Sequence, residues 1–175
     1  MELIIEAGKL SDIDEIEQLY NEMNDALEAG INYPGFKKGV YPVRENAVEG
    51  VEEGYLYVAR WEGRIAGSII LSHKPEEAYT SVTWNTDQEY DKIIVIHTLT
   101  VHPEFVKRGI GNSLMDFTER HARKLEMSAI RLDVYEKNYP AIRLYERCGY
   151  EYVGTVDLGY AEYGLPWYKL YEKVL

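Results

Sequence analysis

The stretch Ile93–Leu125, IIVIHTLTVHPEFVKRGIGNSLMDFTERHARKL, decides the fold. Its opening, Ile93 to Val101, is rich in β-branched side chains and stops at His102-Pro103, so it reads as a strand. Its close repeats Ile110, Leu114, Phe117, His121 and Leu125 at near-helical spacing, so it reads as a helix. Between them stands Val106-Lys107-Arg108-Gly109-Ile110-Gly111. Two glycines let the backbone turn tightly and expose its N–H groups. The helix begins there, so its positive dipole end points into the turn, and Lys107 and Arg108 add full charges. Chemically this is a pyrophosphate cradle.

Common phosphate loops fit it poorly. A Walker loop needs Lys and Ser or Thr directly after its last glycine, whereas Gly111 is followed by Asn112-Ser113. A dinucleotide fingerprint needs a third small residue where this chain has Leu114. Downstream, Asn138-Tyr-Pro-Ala-Ile-Arg-Leu-Tyr145-Glu-Arg-Cys-Gly149-Tyr150 is a second marked stretch. Together the two stretches resemble motifs A and B of the GNAT superfamily of N-acetyltransferases. Motif A there reads Arg or Gln, any two residues, Gly, any residue, then Gly or Ala. Val106 stands in the Arg or Gln position, a departure from the pattern. For motif B, Asn138, Ala141, Leu144, Tyr145, Gly149 and Tyr150 match in register. The resemblance runs from about Gly63 to the C-terminus and holds only in outline before that.

The resemblance implies an α/β (α+β) GNAT fold, a mixed, mostly antiparallel sheet with helices on both faces and a splay between its fourth and fifth strands. It implies acetyl-CoA as cosubstrate and an amine acceptor. It assigns coenzyme A contacts to Leu99, Thr100 and Val101, to Val106, Lys107, Arg108, Gly109, Ile110, Gly111 and Asn112, and to Asn138 and Tyr145. Tyr145 also falls at the family's general-acid position. Asp133, five residues before Asn138, falls where members that acetylate protein N-termini carry a basic carboxylate, there a Glu. His97 is the rival base: it sits inside an otherwise apolar strand, and imidazole titrates near neutral pH. The ordinary alternatives are an exposed strand residue for Asp133, a satisfied core histidine for His97 and a core tyrosine for Tyr145. In the family the segment between the first two helices walls the acceptor pocket, which makes Tyr33, Phe36 and Tyr41 candidate substrate contacts. Trp84, the main apolar anchor of a long polar segment at 73–92, is another. That segment reads as a lid or irregular hairpin, because structureless loops of such length are unusual in compact domains.

Composition narrows the class. With 175 residues, 46% hydrophobic and 28% charged, the chain reads as one ordinary globular domain over 1–175. A net charge of −11 argues against a nucleic-acid partner and would concentrate a cationic acceptor instead. The single cysteine allows no intrachain disulfide. No membrane span or signal peptide is read, so the cytoplasm is the expected location. No metal-ligand spacing is present. The tyrosine-rich segment 160–171 suits either a homodimer interface or the pocket.

The remaining elements follow from local signals. Ser11 with Asp14 suggests a capping box before an amphipathic helix built on Ile13, Ile16, Leu19, Tyr20, Met23 and Leu27. Glu62-Gly63 marks a hairpin, and Gly67 a bulge or close backbone approach. Ala129 to Tyr135 alternates, with Arg131, Asp133 and Tyr135 forming one polar face. Three functions are compatible with cradle chemistry: an N-acetyltransferase by direct transfer in a ternary complex, a non-catalytic acyl-CoA-binding module, and a dinucleotide-binding oxidoreductase. The second motif speaks against the last.

Overall fold

At Glu62-Gly63 both residues take positive φ, 49° and 85°. This is the turn whose twist matches the strands it joins. The computed structural model, which describes residues 2–175, builds a seven-stranded sheet around that hairpin. Its strands are β1 (Leu3–Ala7), β2 (Leu56–Trp61), β3 (Arg64–Ser72), β4 (Ile93–Val101), β5 (Ala129–Tyr135), β6 (Glu151–Val156) and β7 (Tyr168–Val174). Their order is β1-β2-β3-β4-β5-β7-β6, mostly antiparallel, with a parallel pair at β4 and β5. That parallel ladder runs only from Ile93↔Ala129 to Val95↔Arg131. Four helices complete the chain: α1 (Ile13–Ala29), α2 (Arg44–Glu52), α3 (Ile110–Lys124) and α4 (Tyr139–Arg147). Among the described residues, no helix is long and apolar enough to cross a membrane.

The chain divides into two compact units, each with its own core. The first comprises residues up to Asn32, Phe36–Leu71 and Thr98–Phe117. There Ile13, Ile16, Leu19 and Tyr20 of α1 pack with Ala47 of α2 and with Leu56, Val58 and Ile65 of the hairpin. The expected Ser11 cap is replaced by a tight turn at Leu10–Asp12, which Asp12 closes by accepting from the Lys9 N–H at 2.9 Å. The reason is Arg60, whose guanidinium holds both Asp12 oxygens at 2.8 Å and fixes that carboxylate at the helix start. Gly67 shows both features read from it. The β2–β3 register shifts beside its partner Ala59, and an added Cβ would meet the Thr100 carbonyl oxygen at 2.7 Å and Ile110 at 2.9 Å. Only a glycine lets the start of α3 lie this close on β3.

The second unit comprises Tyr33–Gly35, Ser72–His97 and Thr118–Leu175. Its core joins Tyr79, Ile93, Val95, Ala129, Val156 and Leu170. The 73–92 segment is no hairpin: it forms turns at Glu77–Ser81 and Tyr90–Lys92 and contributes no strand beyond the ends of β3 and β4. It folds onto the polar face of β5, and the anchor is Arg131. Arg131 and Glu172 face each other across β5 and β7, are 3% and 1% exposed, and pair at 2.8 Å. Arg131 also donates to Tyr90 Oη at 2.9 Å and to the Thr86 carbonyl, and its guanidinium lies 4.3 Å from the Trp84 ring centre. Glu172 accepts further from the Asn85 N–H at 2.7 Å. Two buried charges are tolerable because every polar edge is met. Arg131→Met strands Glu172 without a partner and should cost about 3–5 kcal/mol in urea unfolding, whereas Arg131→Met with Glu172→Leu should recover most of that loss.

Candidate active site

Alternation along β5 decides which side chains meet. Arg131, Asp133 and Tyr135 share one face, and the register sets Glu172, Leu170 and Tyr168 opposite them on β7. Exposure rises along this face, from the closed Arg131–Glu172 pair to a half-buried Asp133 and half-buried Tyr135 and Tyr168. Asp133 is therefore not an ordinary solvated strand residue. Tyr79, 1% exposed, donates its hydroxyl to Asp133 Oδ2 at 2.6 Å. Burial pushes the Asp133 carboxyl above the usual carboxylate range; the Tyr79 hydrogen bond and neighbouring His97 pull it back in part, and Glu76 adds to the rise. Burial also raises the Tyr79 phenol well above its ordinary value, so Tyr79 stays protonated and acts as the donor.

His97 belongs to the same neighbourhood. Its Nε2 lies 2.9 Å from the Lys74 carbonyl oxygen, which only accepts. Nε2 therefore carries the hydrogen, and in the neutral ring Nδ1 keeps its lone pair. Both candidate bases thus sit in the second unit. Tyr145 of α4 is there too, 6% exposed, with its ring 6.2 Å from Tyr150. Burial, then Asp133, then Cys148 push its phenol above the ordinary value, so it holds a proton it can donate. Asn138 caps α4 as expected, accepting from the Ala141 N–H at 3.4 Å.

The cradle belongs to the first unit. Val106 to Gly109 are exposed, Lys107 and Gly109 take left-handed φ of 64° and 76°, and α3 starts at Ile110 with Gly111 and Asn112 in its first turn. An atom at the Gly109 Cβ position would meet nothing within 4 Å. A pyrophosphate would therefore find open space before a helix start whose first N–H groups have no intrahelical acceptor. Arg108 lies over the Trp61 and Phe105 rings at 5.5 and 5.7 Å, which holds its charge beside the turn. These residues fit an anionic coenzyme.

In β4, Thr98 takes φ of 52°, uncommon for a β-branched residue, and the Tyr41 hydroxyl bonds its Oγ1. Such backbone strain costs about 1–3 kcal/mol and persists only where neighbours hold it. It lies just before Leu99, Thr100 and Val101, and the burial of the strand still alternates through it, with His97, Leu99 and Val101 half-buried and Thr98 and Thr100 buried. Thr100 is tied to Ser68 at 2.8 Å between hydroxyls. His102 orders its loop by accepting from the Glu104 N–H at 3.1 Å, and its Nε2 donates to Glu22.

The aromatic candidates separate. Tyr41 lies in the first unit, edge-on to Phe36 at 5.3 Å and tied to Thr98. Tyr33 lies in the second, edge-on to Tyr139 at 6.5 Å. Trp84 donates to the Tyr79 carbonyl at 2.9 Å and covers Arg131, so it anchors the 73–92 segment. Tyr79 and Glu76 escaped the sequence reading because their segment has no periodicity that would point them at β5. A Tyr135–Tyr168–Tyr160 array was half visible in the β5 alternation; the pairing of β5 with β7 supplies the rest.

The family model described as the acetyltransferase (GNAT) family matches residues 15–150. An uncharacterized N-acetyltransferase of Bacillus subtilis, YesJ, is 27% identical over 110 residues, which cover 63% of this chain and 60% of that protein. The chain therefore matches less than two thirds of that relative's length. Streptothricin acetyltransferase of Escherichia coli is 25% identical over 142 residues, covering 78% of this chain and 72% of that protein. A GNAT-family acetyltransferase structure from Listeria monocytogenes superposes with a TM-score of 0.76, covering 100% of this chain and 96% of that one at 22% identity, which speaks to the fold alone.

The Asp133 shift carries a stability consequence. A carboxyl whose folded-state pKa is raised favours the folded state most when protonated, and that contribution is lost as pH climbs through the raised value. Asp133→Asn keeps an acceptor for Tyr79 and removes the charge. The Tm of the variant should exceed that of wild type at neutral pH, with the gap closing towards about pH 4. A gap that stays flat from acid to neutral pH contradicts the burial of this charge.

Proposed function

The chain belongs to the GNAT acetyltransferase family, and we propose that it moves an acetyl group from acetyl-CoA to a primary amine by direct transfer in a ternary complex. The observation that carries this reading is Asp133, a carboxyl raised by burial, held by Tyr79 and neighboured by His97. An amine attacks only when neutral, and a carboxylate of raised basicity is suited to accept its proton. His97 Nδ1, with its tautomer set by Lys74, is the alternative acceptor of the same proton. Bound acetyl-CoA supplies the activated acyl thioester. Tyr145 keeps its proton at neutral pH and donates it where thiolate charge develops. The exposed turn at Val106–Gly109, with Lys107 and Arg108, holds the pyrophosphate, and backbone groups of Leu99 to Val101 hold the arm. No side chain has to form a covalent intermediate, and Cys148 takes no part. The names of the Bacillus subtilis and Escherichia coli relatives support acyl transfer.

The reading is tested in two steps. Acetyl-CoA at a hundredfold excess over its Kd should stabilise the wild type by about 2.7 kcal/mol in thermal unfolding, and Gly109→Glu should lose that shift. The new carboxylate lies in an open turn and repels the anion, while the left-handed φ of 76° adds about 1–2 kcal/mol of strain, so each protein is compared with its own ligand-free midpoint. No shift with acetyl-CoA or coenzyme A sinks the proposal. Tyr145→Phe should keep the shift but lower kcat roughly a hundredfold. Intact binding with no turnover on any amine would favour a non-catalytic acyl-CoA module instead.

A further inference from the structure

Several aromatic surfaces of this chain carry a cation from the chain itself. Arg108 lies over Trp61, Arg131 over Trp84 and Tyr90, Lys169 over Tyr152, and Lys173 over Tyr150. Tyr135, Tyr160 and Tyr168 do not, among the described residues. Tyr135 and Tyr168 are directly opposed across β5 and β7, with ring centres 5.8 Å apart and planes inclined by 54°. Tyr160 stands edge-on to Tyr168, also at 5.8 Å, and is 40% exposed. Tyr168 thus stands next to two tyrosine rings inclined to it, at the more exposed end of the β5 face, and the three present an electron-rich surface. Two carboxylates flank it. Asp133 precedes Tyr135 by two residues on the same face, and Glu76 starts the turn that carries Tyr79 onto Asp133. Neither carboxylate forms an ion pair with a Lys or Arg among the described residues. Both raise the Tyr160 phenol after burial has done so, which places their charges close to the array.

Unpaired carboxylates beside unoccupied aromatic faces are what a cation requires: rings attract it through their quadrupole, and carboxylates through charge. Two positions on one strand face lie about 7 Å apart. We propose, taking the acetyltransferase reading as given, that the acceptor is a compact dication whose reacting amine sits at Asp133 while a second, non-reacting ammonium is held by Tyr135, Tyr160, Tyr168 and Glu76. The class is an α,ω-diamine or an amine with a cationic group four or five carbons away. A monoamine of equal length fills only the first position.

Calorimetric titration of the whole protein with cadaverine and with pentylamine, without acetyl-CoA, tests this directly. The two probes differ by one terminal ammonium. Cadaverine should bind at least about tenfold more tightly. Tyr160→Ala should erase that preference, while Tyr160→Phe, which keeps the ring, should retain it. Equal affinities, undetectable binding of both included, overturn the proposal, as does a preference that survives in Tyr160→Ala. The acetyl-CoA thermal shift, run in parallel, shows that Tyr160→Ala is folded and separates the two readings. A shift without a diamine preference leaves the acetyltransferase and removes the dication site. A preference without any acetyl-CoA shift keeps a dication site and removes the acetyltransferase.

Discussion

Arg131 is the constraint on which the second unit depends. A guanidinium placed on the inner face of β5 demands a counter-charge and acceptors for its remaining N–H groups, and burial makes that demand strict. Glu172 supplies the charge, Thr86 and Tyr90 the acceptors, and Trp84 the ring. Those partners come from a segment with little regular structure of its own. Satisfying one side chain therefore pins a stretch of irregular backbone against the sheet. Tyr79 rides on that segment, so the same demand brings a buried phenol onto Asp133.

The environments of the candidate base and acid follow from a gradient in exposure. One step further along the same face, Asp133 is only half covered, and burial still raises its pKa. Another step on, the tyrosines meet solvent. Protein atoms close one end of the strand and leave the other open, and the perturbed carboxyl sits where the two conditions overlap. Tyr145, wholly inside, is held protonated by the same desolvation that makes Asp133 more basic. One physical cause raises both groups, to which the proposed transfer gives opposite roles.

In the first unit the organising constraint is steric. Gly67 admits the Thr100 carbonyl and the first turn of α3 at distances no Cβ would permit. That approach sets where the helix starts, and hence where its unpaired N–H groups point. Thr98, strained and held by Tyr41, lies directly before the residues expected to hold the coenzyme arm. The cradle has few contacts of its own and takes its position from these neighbours.

Local chemistry was legible in the sequence. Chain-adjacent signals encode the Glu62-Gly63 turn, the α1 stripe, the glycine cradle before α3, the Asn138 cap and the polar face of β5, because each depends on residues a few positions apart. Ser11 does not cap α1: it lies inside the Leu10–Asp12 turn, whose Asp12 is held by Arg60, forty-eight residues further along. The 73–92 segment was opaque for the same reason: its fold is dictated by Arg131 and Glu172, which lie far along the chain. Trp84 read as a substrate contact because nothing nearby in sequence needs it, whereas the tertiary structure lays it over a guanidinium. The sequence by itself determined the family, the element order and the presence of Tyr145, Asp133 and His97. Only the tertiary structure decided that Asp133 is buried beside Tyr79, since a pKa and a hydrogen-bond partner are properties of a surrounding dielectric, and the chain acquires that by folding.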